Sequence, residues 1–224
     1  MKKSISCADA VEMIPDGASI MLGGFMGVGS PHRLIDELVK QNKRDLTVYC
    51  NDAGRPGFGL AKLIATKQVK KLYATHIGLN PECQRQMVSG EMEVELIPQG
   101  TFAEQIRAGG YGLGGILTAT GIGTVVEEGK QKVEVDGKTY LLEKPLRADF
   151  ALIRAYRADY RGNLEYMLTA RNFNQVMAMA ADKVIAEPHI IVPVGVIPPD
   201  SVGTPFVCVH HIVERGQFFD YDGR

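Results

Sequence analysis

Short apolar runs alternate along most of the chain with segments whose apolar residues recur at helical spacing. The runs predict buried strands, and the periodic segments predict helices that pack on them. The predicted strands are residues 18–22, 45–51, 69–76, 94–98, 149–154 and 183–187, with 207–212 as a candidate edge strand. The predicted helices are residues 4–14, 31–41, 58–66, 81–89, 101–108 and 172–181. This alternation predicts an α/β fold with an open, mostly parallel sheet flanked by helices.

A β-hairpin is predicted within residues 132–142, where polar and apolar residues alternate on both sides of Asp136-Gly137. It is interpreted as an insertion into the sheet domain. The preceding glycine-rich segment, 109–124, contains the spacing GxGxxG, but a helix and not a strand comes before it, so we predict a loop that is mobile or faces a partner. A length of 224 residues fits a single domain covering 1–224.

Glycines dominate the turn between the first strand and the helix that follows it. The segment consists of Gly23, Gly24, Phe25, Met26, Gly27, Val28 and Gly29. Ser30 is a predicted N-cap and Pro31 a predicted first helical residue, so the helix N-terminus would offer unpaired N–H groups to a phosphate or another anion. A tightly packed strand-to-helix connection is the alternative, and spacing alone does not separate the two.

Polar or glycine-bearing segments follow the other predicted strands of the N-terminal half. They are Asn51-Asp52, residues 76–78 and Gln99-Gly100. Ligands bind beyond the carboxyl ends of the strands in parallel sheets, so these segments predict one shared site. Gln99 lies between Pro98 and Gly100, where its amide is a candidate donor to a developing oxyanion. A turn or capping glutamine is the alternative.

Composition narrows the functional classes. A formal net charge of −1 gives no general electrostatic reason to expect binding to nucleic acid or to an anionic membrane. The sequence has neither the apolar core of a signal peptide nor a stretch long enough to span a bilayer, so a cytoplasmic location is expected. Four cysteines are scattered without a CxxC pair, which argues against a metal site or a disulfide and favours free thiols: Cys7, Cys50, Cys83 and Cys208.

No nucleophile stands out. No serine occurs in a G-x-S-x-G elbow. Nothing in the sequence supplies Cys50 with a histidine partner. His76 at a strand end is a candidate acid or base, but a structural hydrogen-bonding role is favoured. The sequence thus contains ligand-binding and oxyanion-stabilising candidates without the group that would attack.

Several motifs resemble the alpha subunits of the family I CoA-transferases. Asp16-Gly17, an apolar triplet, Gly23-Gly24-Phe25, three residues and then Gly-x-Pro match their signature. Four further segments are similar to the family in the same order: residues 98–110, 118–130, 147–154 and 170–174. The resemblance extends from about residue 5 to about residue 212 and implies a fold of the CoA-transferase and sugar-phosphate isomerase type.

The resemblance also implies a mechanism. In this family coenzyme A is a co-substrate, and a glutamate on a separate beta subunit is the nucleophile that attacks the acyl-CoA, so that CoA passes between two acids through an acyl-glutamyl anhydride and a glutamyl-CoA thioester. That glutamate lies in a Ser-Glu-Asn-Gly-like motif, which this chain lacks. An α2β2 assembly without a metal is implied. Residues 74–82 and 87–92 are most similar to the acetate/butyrate–acetoacetate enzymes, which implies short-chain carboxylic acids and their acyl-CoA esters as substrates.

Carried over by position, the resemblance implies that Gln99 is an oxyanion donor. It also implies that the glycine segment from Gly23 to Gly29 binds CoA and that Asn51 belongs to the site. Two other functions remain open: a non-catalytic module that binds a phosphosugar, and a self-sufficient thioesterase that uses Glu91.

Overall fold

The computed structural model describes residues 4–214, and strands and helices alternate regularly from Cys7 to Thr118. The helices are α1 (Cys7–Glu12), α2 (His32–Lys40), α3 (Ala61–Ala65), α4 (Pro81–Val88), α5 (Gln99–Gly110) and α6 (Asn174–Met179). The strands are β1 (Ser19–Leu22), β2 (Leu46–Cys50), β3 (Val69–Ala74), β4 (Glu93–Leu96), β5 (Ile116–Thr118), β6 (Lys132–Val135), β7 (Lys138–Glu143), β8 (Ala148–Asp159), β9 (Leu164–Glu165), β10 (Ala181–Val192) and β11 (His211–Ile212).

The main sheet has the strand order β11-β10-β8-β1-β2-β3-β4, and each neighbouring pair in that order is parallel. The short strand β9 pairs antiparallel with β8. The prediction of an open, mostly parallel sheet is confirmed. Because β1, β2, β3 and β4 lie side by side, the segments that follow them meet at one edge of the sheet.

A separate three-stranded sheet carries the predicted hairpin. Strands β6 and β7 pair antiparallel around Asp136 and Gly137, whose φ angles of 50° and 72° suit the tight turn that joins them. The third strand, β5, comes from the glycine-rich segment that the sequence predicts as a loop, and it pairs with β7. Two apolar residues of that segment, Ile116 and Leu117, provide enough β-strand character to extend the hairpin.

Two apolar cores lie on opposite faces of the main sheet. Helices α1 to α4 cover one face, and α5 and α6 cover the other. Strand β1 contributes to both, since Ile20 and Leu22 lie in the first core and Met21 in the second. Within residues 4–214, no helix is both long enough and apolar enough to cross a bilayer.

Helix α5 begins earlier than predicted. Pro98 is its N-cap, with an extended backbone, so Gln99 is the first helical residue and not a loop residue. Proline disfavours a helical conformation in the residue before it, so the helix does not extend further back along the chain. The side chain of Gln99 therefore starts from a rigid element, directly beyond the carboxyl end of β4.

Candidate functional site

Two predicted site residues meet at the carboxyl edge of the sheet. The Nε2 atom of Gln99 lies 2.6 Å from Oδ1 of Asn51, to which it donates a hydrogen bond. Asn51 is buried, whereas Gln99 is exposed to solvent. Thr75, which follows β3, donates from Oγ1 to the backbone oxygen of Asn51 at 2.8 Å. The ends of β2, β3 and β4 thus hold one exposed amide in a defined place.

Asp52 connects this amide pair to the glycine segment. Its Oδ2 accepts hydrogen bonds from the Met26 N–H at 2.7 Å and from Nδ2 of Asn51 at 2.8 Å. Its Oδ1 accepts from the Gly54 N–H at 2.9 Å, the local turn typical of aspartate. No pattern in the sequence assigns Asp52 a role of its own, although the run Asn-Asp-Ala-Gly contains the signal for such a turn.

The glycine segment folds into a tight two-residue turn. Phe25 and Val28 exchange backbone hydrogen bonds of 2.9 Å in both directions. The two central residues, Met26 and Gly27, have φ angles of 52° and 86°, and positive values at both positions are those of a type I′ turn. A non-glycine residue in this region costs roughly 1–2 kcal/mol, and the bond from the Met26 N–H to Asp52 offsets part of that cost.

Groups of this chain occupy the space that side chains would take at four of the glycines. A methyl group at Gly23 would meet Oδ1 of Asn174, one at Gly24 would meet Oγ of Ser30, one at Gly27 would meet the ring of Phe58, and one at Gly29 would meet the backbone oxygen of Ala170. The tight-packing alternative therefore accounts for these glycines. The side chains of the turn remain accessible.

An open apolar depression of about 380 Å³ lies beside the turn. Phe25, Met26 and Val28 line it together with Thr169 and Asn172. Phe25 and Val28 are 44% and 50% exposed, which is high for large apolar side chains. Asn172 donates from Nδ2 to the Val28 backbone oxygen at 2.9 Å and so fixes the turn against the opposite wall.

The N-terminus of α2 does not offer unpaired N–H groups, contrary to the prediction. Oε2 of Glu187 accepts hydrogen bonds of 3.0 Å from both the Arg33 and the Leu34 N–H. The N–H groups of His32 and Ile35 donate to backbone oxygens. The predicted cap is also wrong by one residue, because Pro31 occupies the N-cap position, and its own side chain makes no capping hydrogen bond.

Glu187 replaces the anticipated anion. It is 1% exposed, and its carboxylate lies 3.5 Å from Nε of Arg33 and 3.2 Å from Nη1 of Arg154. Burial raises the pKa of this carboxyl group, and the guanidinium groups and N–H donors around it act in the opposite direction. About 150 positions separate Glu187 from Arg33 along the chain, so the sequence gives no signal for this buried ion pair.

His32 holds the turn from below. Its Nε2 lies 2.9 Å from the Gly27 backbone oxygen, and because a carbonyl oxygen only accepts, Nε2 carries the proton. The ring lies 4.6 Å from that of Phe58 between centroids. Burial lowers the pKa of His32 to about 4, so the imidazole is neutral at pH 7.

Acidification is expected to destabilise the fold through His32. Its pKa is about 4 in the folded chain and about 6.5 in the unfolded chain. The unfolded state therefore binds an additional proton in this window, and stability is lost as the pH falls from about 6.5 to about 4. The loss at pH 5 relative to pH 7 should be about 2 kcal/mol, measured by urea unfolding.

The matched variant is His32→Gln, which keeps a donor for Gly27 and does not titrate. Its stability should change less between pH 7 and pH 5 than that of the unchanged chain. Equal losses in the two proteins would show that other groups cause the acid sensitivity.

Other candidates fit structural roles better than catalytic ones. Burial raises the pKa of the Cys50 thiol to about 12, which opposes a nucleophilic role. Cys7, Cys50 and Cys83 are free thiols. Glu91 precedes β4 at the opposite edge of the sheet, and the guanidinium of Arg85 holds its pKa well below the usual range. Among residues 4–214, no group of three or more histidine, cysteine, aspartate or glutamate side chains is placed to hold a metal ion.

The sequence matches a known protein family over nearly its whole length. The sequence model described as coenzyme A transferase matches residues 5–215. The chain belongs to the coenzyme A transferase family. The prediction of the family is thereby confirmed.

Curated relatives in the coenzyme A transferase family cover nearly the whole chain. The alpha subunit of acetate CoA-transferase from Escherichia coli (strain K12) is 54% identical over 211 residues, 94% of this chain and 96% of that protein. The acetoacetyl-CoA:acetate/butyrate CoA transferase alpha subunit from Clostridium acetobutylicum is 49% identical over 200 residues, 89% of this chain and 92% of that one.

A solved structure of the family shares the fold. Acyl-CoA transferase from Escherichia coli O157:H7, in a thioester complex with CoA, superposes with a TM-score of 0.85 at 25% sequence identity. The match covers 95% of this chain and 47% of that one, so this chain spans about half the length of that enzyme.

Proposed function

We propose that this chain is the alpha subunit of a short-chain acyl-CoA:acid CoA-transferase of the acetate/butyrate–acetoacetate kind. The relatives named above support the substrate class. One structural observation carries the proposal: the exposed Gln99 amide is held by Asn51 at the carboxyl edge of the sheet. An amide donor held in this way can stabilise a substrate oxygen that becomes negatively charged.

Gln99 acts as the oxyanion donor in this proposal. Its Nε2 carries two hydrogens, one of which is directed at Asn51, so the second is available to a substrate oxygen. When the thioester carbonyl is attacked, negative charge builds on its oxygen, and a donor that is already in position stabilises the transition state. The attacking glutamate comes from the partner beta chain.

The glycine segment contributes its side chains and not its helix terminus. Coenzyme A supplies the thiol that carries the acyl group. Glu187 already takes the N–H groups at the start of α2, so that terminus does not fit the phosphates of the coenzyme. The exposed apolar face formed by Phe25, Met26 and Val28 fits the methyl and methylene groups of the arm between the phosphates and the thiol. Asn51 orients the Gln99 amide through the hydrogen bond between them.

The proposed assembly is an α2β2 complex in the cytoplasm, in which this chain acts as one domain. The free thiols Cys7, Cys50 and Cys83 support a reducing compartment. The proposed reaction needs no metal, because the glutamate is the nucleophile and Gln99 stabilises the charge that its attack creates. Relatives named as alpha subunits support a beta partner.

Reconstitution tests the proposal. The purified chain alone should not exchange CoA between acetate and acetoacetate, and an isolated beta subunit should not do so either. Mixing the two should restore transfer. Full activity of the isolated chain would contradict the proposal. Tight binding of a phosphosugar to the isolated chain in a calorimetric titration would favour the non-catalytic module instead.

A further inference from the structure

Asp52 is a buried carboxylate that receives three hydrogen bonds and contacts two parts of the site. It is 4% exposed. One oxygen accepts from the Met26 N–H and from Nδ2 of Asn51, and the other accepts from the Gly54 N–H. Asp52 therefore lies between the turn at Met26 and the amide pair of Asn51 and Gln99.

The chemistry of these groups fixes the orientation of both amides. Oδ2 of Asp52 accepts from the Met26 N–H and so acts as an acceptor, which means that the NH₂ end of the Asn51 amide must face it. The carbonyl end of Asn51 then faces Gln99, and the NH₂ end of Gln99 must face Asn51. The two ends of an amide are nearly identical in shape, so only this order of donors and acceptors selects one orientation.

We propose that Asp52 is a positioning residue that sets the orientation of the Gln99 amide through Asn51. Through its bond to Met26 it also ties the turn to that amide. The inference rests on the proposed role of Gln99 as oxyanion donor. An asparagine at position 52 would place an NH₂ group against one of the three N–H donors. Rotation of the Asn51 amide by about 180° would then replace a contact between two donors with a hydrogen bond.

The test is a double-mutant cycle in the complex assembled with its beta partner. Asp52→Asn should lower kcat about tenfold in the presence of Gln99, the effect of one misdirected hydrogen bond. In the Gln99→Ala background the same change should alter kcat by less than about twofold, because the group on which Asp52 acts is gone. Loss of the Met26 bond should raise the KM for acyl-CoA in both backgrounds.

Asn51→Leu provides a second variant if Asp52→Asn does not assemble. It breaks the link to Gln99 and leaves the bonds from Asp52 to Met26 and Gly54 in place. It should lower kcat about tenfold with Gln99 present and leave KM unchanged. Asp149→Asn is the matched control, because Asp149 also accepts from a backbone N–H, that of Ser19 at 2.8 Å, but lies near the start of β8 at the opposite edge.

The outcomes separate the two proposals. A tenfold loss of kcat with Asp52→Asn in both backgrounds would overturn the positioning role and leave the oxyanion role of Gln99 intact. An unchanged kcat for Gln99→Ala alone would overturn the oxyanion role, and with it this inference.

Discussion

Replacement of Gln99 by alanine is expected to lower the kcat of the assembled transferase by about 10²–10³, the usual effect of removing one oxyanion donor. The KM for acyl-CoA should change little, because the hydrogen bond strengthens only as charge builds on the substrate oxygen. Steady-state kinetics of the reconstituted complex would measure both quantities. Asn51 holds the amide in place before substrate binds, so the full effect should appear in kcat.

Gln41→Ala is the matched control for this experiment. Gln41 caps the C-terminus of α2, where its Nε2 donates to the Ala8 backbone oxygen at 2.9 Å, and it precedes the amino end of β2, not the carboxyl end where the site lies. Its replacement should leave kcat unchanged. If both glutamine variants retained full kcat, Gln99 would be only the first residue of α5, the alternative that the sequence leaves open.

Replacement of Glu187 by alanine is expected to lower the free energy of unfolding by about 3–5 kcal/mol, the range for breaking a buried ion pair from one side. The change leaves the guanidinium groups of Arg33 and Arg154 without their shared carboxylate. It also removes the acceptor for two N–H groups at the start of α2. Urea unfolding of the purified chain would measure the loss.

An exposed ion pair provides the comparison. Asp182 lies 2.8 Å from Nη2 of Arg147, and its side chain is 69% exposed. Its replacement by alanine should change the free energy of unfolding by less than about 1 kcal/mol. Similar losses for the two variants would mean that Glu187 contributes no more than a surface carboxylate.

The sequence predicts the main sheet well because its strands are apolar and separated by helical periodicity. The predicted ends of two strands, at Arg154 and at Glu187, come too early. In the structure β8 and β10 continue beyond these residues, which lie directly opposite each other in the parallel pairing and form an ion pair. A charged residue usually marks the end of a buried strand, and a single sequence does not show that two such residues neutralise one another.

Some features of the candidate site are predictable from the sequence, and others are not. The meeting of strand ends follows from topology, so the proximity of Asn51 and Gln99 is predictable. The occupation of the α2 terminus by Glu187 is not predictable, because the two are separated by about 150 positions in sequence and joined only by the order of strands. The role of Asp52 is not predictable for a different reason. The sequence shows the local turn at Asp52, but it does not show the long-range hydrogen bond from the Met26 N–H.

The bond between Gln99 and Asn51 lies entirely within one polypeptide. The conformational entropy lost in fixing the Gln99 side chain is therefore spent when this chain folds and not when substrate arrives. Under the proposed function, this chain carries the group that stabilises the negative charge, and the beta chain carries the atom that attacks. A different nucleophile in the beta chain would then change the reaction that is catalysed, while the oxyanion donor in this chain stayed unchanged.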